Sequence, residues 1–203
     1  MRIGIDFDNT IVSYDALFHK VAREAGFVPE TVAATKVAVR DHLREVGRED
    51  DWTEMQGHVY GGRMAEASAY PDALAVMRAA RRQGHELFIV SHKTKHPFRG
   101  KPYDLHQAAR NWVESEMQDE EGALIPPAQV FFEVTKEEKL ARAGLLGCDC
   151  FIDDLPEILL SPHFPRGVTP LLFDPDDIHA DQTSLIRLAS WRRVAAHIGV
   201  EIV

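Results

Sequence analysis

The stretch Ile3-Gly4-Ile5-Asp6-Phe7-Asp8-Asn9-Thr10-Ile11 constrains this chain more than any other. Its apolar, β-branched start reads as a strand, and that strand ends in two carboxylates spaced i, i+2. On an extended chain this spacing puts both side chains on one face. It falls where the strand gives out, so both can converge at one edge of a sheet. Two like charges that close repel, and a bound cation is the usual remedy. Carboxylate oxygens are hard ligands and favour Mg²⁺. The plainer reading is an Asp-rich turn after an edge strand.

Further strands repeat the pattern. Glu86–Val90 ends in Ser91, and Cys150–Ile152 ends in Asp153-Asp154. Val130–Val134 and Thr169–Phe173 also read as strands. Helical periodicity predicts helices over 14–25, 29–46, 71–84, 103–117 and 137–146, and an amphipathic terminal helix over 182–197. Asp119 to Gly122 reads as a polar loop. Strands alternating with helices imply a parallel sheet with right-handed crossovers, and ligands in such sheets bind beyond the carboxyl ends of the strands. Asp6, Ser91 and Asp153 each fall at such an end. Residues 13–69 contain no good strand run and read as a helical insert.

Composition narrows the function classes. At 203 residues, 45% hydrophobic and 27% charged, the chain can bury a full core in one or two domains. A net charge of −9 argues against broad binding of nucleic-acid polymers. No apolar run approaches membrane-span length, so no membrane partner is expected, and a cytoplasmic location is the default. The two cysteines, Cys148 and Cys150, are too tightly spaced for a zinc knuckle and read as small residues entering a buried strand.

The ordered set Asp6-x-Asp8, Ser91, a lysine near Thr135-Lys136-Glu137-Glu138-Lys139, and Asp153-Asp154 resembles the haloacid dehalogenase (HAD) superfamily of phosphohydrolases. The resemblance covers residues 1–12 and 71 to about 175. It implies an α/β fold: a Rossmann-like parallel sheet flanked by helices (1–12 and 70–203), with a small helical C1-type cap inserted after strand one (13–69). It also implies a Mg²⁺-dependent phosphomonoesterase. Asp6 would be the nucleophile, forming an aspartyl-phosphate, and Asp8 the acid–base group. Mg²⁺ would be held by Asp6, the Asp8 carbonyl and Asp154, with Asp153 nearby. Ser91 would bind a phosphoryl oxygen, with Thr10 beside the site. Lys139, or alternatively Lys136, would hold Asp6 ionised. The family's dehalogenases lack the second aspartate, so Asp8 points to phosphoryl transfer.

The expected partner is a small phosphorylated substrate. Its contacts are sought in two places. One is the glycine-rich part of the insert, with His58, Tyr60 and Arg63. The other is the basic run after Ser91: His92, Lys93, Lys95, Arg99 and Lys101. The run reads either as a solvated face or as a contact for a second anionic group. Hydrolysis, transfer to another acceptor, and a binding protein without turnover all remain readings of the sequence.

Overall fold

The computed structural model describes residues 1–119 and 122–202. In chain order the first elements are β1 (Arg2–Ile5), β2 (Val12–Ser13), α1 (Asp15–Glu24), α2 (Lys36–Glu45), α3 (Glu49–Gly57) and a π-helical turn at His58–Gly62. Next come β3 (Ser68–Ala69), α4 (Ala73–Arg82), β4 (Glu86–His92), α5 (Leu105–Glu116), β5 (Gln118–Asp119) and β6 (Gly122–Ala123). The chain closes with β7 (Val130–Glu133), α6 (Lys136–Leu145), β8 (Cys150–Asp153), α7 (Pro156–Leu159), β9 (Thr169–Phe173), β10 (Ile186–Leu188) and α8 (Trp191–Ile198). In the expected polar loop Asp119 to Gly122, residues 120 and 121 lie outside the described residues.

The chain divides into two compact units. The first comprises Met1–Val12, Ala69–Lys93 and Met117–Val203; the second comprises Ser13–Ser68 and Thr94–Glu116. The helical insert therefore falls in the second unit. Thr94–Glu116 groups with it rather than with the sheet.

The first unit is an α/β sandwich around a six-stranded parallel sheet of order β10-β9-β8-β1-β4-β7. Its strands are short apolar runs, as expected for strands buried on both faces. Helix α6 packs on β4 and β7, and Ala143 joins Phe88, Val90, Phe151 and Leu172 in one buried cluster. Helix α4 packs on β4 and against α8, burying Val76, Met77 and Ala80. Gly4 of β1 is level with Phe151 of β8, whose ring occupies the space a side chain would take. A Cβ there would lie 2.4 Å from the Phe151 ring.

The second unit is helical. Leu17 and Phe18 from α1, Val39 and Leu43 from α2, and Trp52 and Met55 from α3 are buried. The Trp112 indole of α5 donates to the Ala67 carbonyl at 2.9 Å.

Three element expectations are corrected. The terminal helix does not run from 182. Ile186–Leu188 instead adds strand β10 beside β9, and α8 starts at Trp191, where Ser190 Oγ accepts from Arg193 N at 3.2 Å. The spacing of Leu185, Leu188 and Trp191 imitates a helical stripe across that boundary. The helix expected from 29 begins at Lys36, because Thr35 Oγ1 accepts from Ala38 N at 3.1 Å and caps it there. The helix expected from 71 starts at Ala73. Asp72 sits at φ 64 and gives its carboxylate to Arg192 at 2.7 and 3.1 Å instead of capping.

Candidate active site

In the sheet register Ile5 is level with Ile89 and with Ile152. Asp6 and Asp153 are therefore level on adjacent strands, which lie about 4.8 Å apart in a sheet. The Asp6 amide still donates to the Ile152 carbonyl at 2.8 Å, so the nucleophile candidate sits on rigid backbone. Beyond it the chain turns. Ile11 and Val12 amides both donate to the Phe7 carbonyl, and Asn9 takes φ 55. Phe7 is fully buried, its ring edge-on to Phe132 with centroids 5.3 Å apart.

Asp6 is 4% exposed and Asp153 not at all. Two buried carboxylates on neighbouring strands demand a cation, and Lys139 supplies one. Its ammonium lies 2.6 Å from Asp6 Oδ1 and 2.5 Å from Asp153 Oδ2. The local sequence explains how it gets there. Thr135 Oγ1 accepts from Glu138 N, and Glu138 Oε2 accepts from Thr135 N, a reciprocal cap that fixes the first turn of α6. That turn buries Lys139 with Leu140 and Ala143 and leaves the flanking side exposed. Lys136 is on the exposed side, 2.7 Å from Glu157. The structure thus brings Lys139 to the site and leaves Lys136 on the surface.

Burial pushes the Asp6 carboxyl up to about 7. Lys139 opposes that rise, while the charges of Asp153 and Asp8 add to it. For Lys139 burial acts downward, but Asp153 and Asp6 outweigh it and raise the ammonium above its ordinary value. The two shifts describe one cluster with more negative charge than a single lysine offsets.

Asp154 is the next ligand candidate. Oxygens of Asp6, Asp153 and Asp154 all lie within 4.8 Å of one another, and the three make a group able to hold a metal ion. The donor set is all carboxylate, the surplus charge is negative, and Asp6 is held with too little compensation. These residues fit a hard divalent cation such as Mg²⁺. Asp153 also accepts from Leu155 N at 3.0 Å, which ties the ligand loop to the start of α7.

Ser91 closes β4. It is 1% exposed, and its Oγ is buried without a hydrogen-bond partner. Thr10 Oγ1 is in the same condition, while the Thr10 carbonyl accepts from the Trp191 indole at 3.0 Å. A buried hydroxyl with no partner is uncommon, and such groups ask for a ligand. His92 is half-buried; burial, then Lys139 and Lys136, lower its pKa.

Asp8 is held by a residue that sequence reasoning placed elsewhere. Lys93, 5% exposed, lies 2.9 Å from Asp8 Oδ1 and 2.6 Å from Oδ2. The signal was available: Ser91 and Lys93 are i, i+2 on one strand and so share its face. The rest of the basic run behaves differently. Lys95 lies 4.0 Å from Asp104 and Arg99 3.1 Å from Asp50, both within the second unit.

The remaining three candidates lie in the second unit. His58 Nδ1 is 3.2 Å from the Tyr103 hydroxyl. Tyr60 packs edge-on to Tyr14 and Phe18. Arg63 pairs with Glu24 at 2.7 Å and with Glu66, so its charge is spent on structure. Gly61 and Gly62 let Tyr103 approach: a Cβ on Gly61 would lie 2.4 Å from its side chain. Beside them is a pocket of about 510 Å³, with Gln107 and Asn111 of α5 on its wall.

The parallel sheet with its acidic carboxyl edge defines a Rossmann-like α/β fold of the HAD type. Solved structures share this fold. Over 98% of this chain and 94% of that one, it superimposes on a HAD-family hydrolase from Deinococcus radiodurans with bound phosphate and sodium (TM-score 0.58, 16% identity). An archaeal beta-phosphoglucomutase from Pyrococcus matches over 98% of each chain (TM-score 0.56, 13% identity). A predicted phosphoglycolate phosphatase from Haemophilus somnus matches over 97% and 96% (TM-score 0.55, 15% identity). No protein-family model and no curated protein sequence matches the chain. Among the described residues no helix is long and apolar enough to cross a membrane.

Proposed function

We propose that this protein is a Mg²⁺-dependent phosphomonoesterase that works through an aspartyl-phosphate on Asp6. One observation carries the reading: the buried Lys139 that joins Asp6 to Asp153 beside Asp154 at the carboxyl edge of the sheet. A phosphate dianion repels nucleophiles, so its hydrolysis needs an ionised attacking group with surrounding positive charge.

Asp6 attacks phosphorus, and the ester P–O bond breaks. Asp8 gives a proton to the leaving oxygen. Water then attacks the phosphoryl group on Asp6, Asp8 takes its proton, and inorganic phosphate leaves. Lys139 favours the ionised form of Asp6, and the Ser91 hydroxyl donates to a phosphoryl oxygen. Asp6, the Asp8 carbonyl and Asp154, with Asp153 nearby, would hold Mg²⁺, which would supply charge neutralisation. Asp8 favours this over dehalogenation, because a departing halide needs no proton.

The helical insert 13–69 between β1 and β4 is read as the C1-type cap, with His58 and Tyr60 as substrate contacts. The substrate is a small phosphorylated metabolite such as a sugar phosphate or nucleotide.

The test is phosphate release from about a hundred phosphorylated metabolites with Mg²⁺, for wild type and Asp6→Asn. The amide is nearly isosteric and cannot attack, so turnover is lost with the fold intact. Undiminished turnover in the Asp6→Asn protein refutes the covalent mechanism.

A further inference from the structure

Resting on that reading, we propose that Lys93 is a positioning residue that fixes the Asp8 carboxylate for proton exchange with the leaving oxygen. The observations begin with burial. Among the described residues Lys93 and Lys139 are the two buried lysines, at 5% and 2% exposure. A lysine is buried at a cost unless its charge is met. Lys139 meets Asp6, and Lys93 meets Asp8 through both carboxylate oxygens. The two aspartates of the Asp6-x-Asp8 motif are thus each served by a separate ammonium.

Lys93 is built to hold one place. Its amide donates to the Glu133 carbonyl at 2.8 Å, continuing the β4–β7 pairing one residue past the last strand position. The side chain then meets Asp8, which follows β1 in the neighbouring position of the sheet. Asp8 needs this more than Asp6 does. It lies beyond the last β1 residue, and its side chain is 21% exposed against 6% for Asp6. An acid–base group that swings between solvent and substrate loses the near-attack geometry on which proton transfer depends. The ammonium removes that freedom. It touches neither phosphorus nor the leaving oxygen in this role, so its effect is confined to steps in which Asp8 moves a proton.

That confinement makes the test specific. The proteins are wild type, Lys93→Met, Lys93→Arg, Asp8→Asn and the Lys93→Met/Asp8→Asn double variant. Each is assayed with Mg²⁺ on a series of alkyl and aryl phosphates ending in dinitrophenyl phosphate, whose leaving group departs without a proton. Thermal unfolding checks each fold, and Lys93→Gln stands in if the methionine variant does not fold.

For alkyl esters, Lys93→Met is expected to lower kcat/KM by about tenfold or more, within the roughly 10²–10⁴-fold effect of losing the acid itself. For dinitrophenyl phosphate the change is within about twofold. Lys93→Arg recovers part of the alkyl activity, and the double variant is no worse than Asp8→Asn. Equal losses across the series, or losses that multiply in the double variant, overturn the proposal. A wild-type protein that releases no more phosphate than Asp6→Asn from any ester overturns the phosphatase reading itself, and the role of Lys93 with it.

Discussion

The surplus of negative charge around Lys139 leads to a stability prediction with a definite sign. The perturbation is Asp6→Asn in chelator, without added metal. Asp6 faces Lys139 from α6, Asp153 from β8, and Asp8 at the start of the turn after β1. Its carboxyl is raised from 3.8 to about 7, chiefly by burial. A carboxyl whose folded pKa lies above its unfolded one favours folding fully only below the unfolded value. That contribution is lost as pH rises towards the folded value. Lys139, raised above its ordinary value, stays charged throughout this window. Integrating one proton between pKa values of 3.8 and about 7, wild type loses about 2–3 kcal/mol between pH 5 and pH 8 relative to a protein without that carboxyl. Asp6→Asn should therefore gain about that much stability on wild type over the same range. The assay is urea unfolding of both proteins in chelator at half-unit pH steps. Mg²⁺ should narrow the difference at pH 8, because a bound cation offsets the charge that the amide removes. Parallel stability curves, or a wild type that gains on the variant as pH rises, refute the argument that Asp6 is held under-compensated.

Two further outcomes test the packing around the site. Lys139→Met strands the buried Asp6 and Asp153 and should cost about 3–5 kcal/mol together with turnover, whereas Lys136→Met, which breaks only an exposed pair with Glu157, should change stability by less than about 1 kcal/mol and spare activity, as read by unfolding and phosphate release. Gly4→Ala should destabilise by about 1–3 kcal/mol in the same unfolding assay, because the added methyl group meets the Phe151 ring between two central strands.

The parts of the fold legible in sequence are those with local signals. The strand ending in Asp6, the strand ending in Ser91 and the cap at Thr135 each announce themselves within a few residues. The choice between Lys136 and Lys139 was not legible to the same degree. Both lie in one turn of α6, and only the way that helix docks on β4 and β7 separates them. Lys93 was grouped with its basic neighbours because charge runs are read as units, whereas strand alternation and burial divide them. Lys95 and Arg99 find acidic partners at Asp104 and Asp50, and Asp50 lies far away in sequence. Strand β10 was hidden because the stripe it shares with α8 fits a helix equally well until a strand neighbour is present.

The position of β1 has a consequence for how the chain matures. It precedes every other strand of that sheet in the chain yet lies inside it, and the groups that meet its residues come from far downstream. The Arg2 amide meets the Asp149 carboxylate across 147 residues, Asp8 meets Lys93 across 85, and Asp6 meets Lys139 across 133. During synthesis Asp6 therefore emerges with neither of the strands that flank β1 in place. Its surroundings form only after α6 and β8 have been made. Pairings this distant are slow to form, so regain of phosphate release should be among the last events of refolding, after the helices of the second unit have formed. On this reasoning the carboxylate cluster is completed only when β8 pairs with β1.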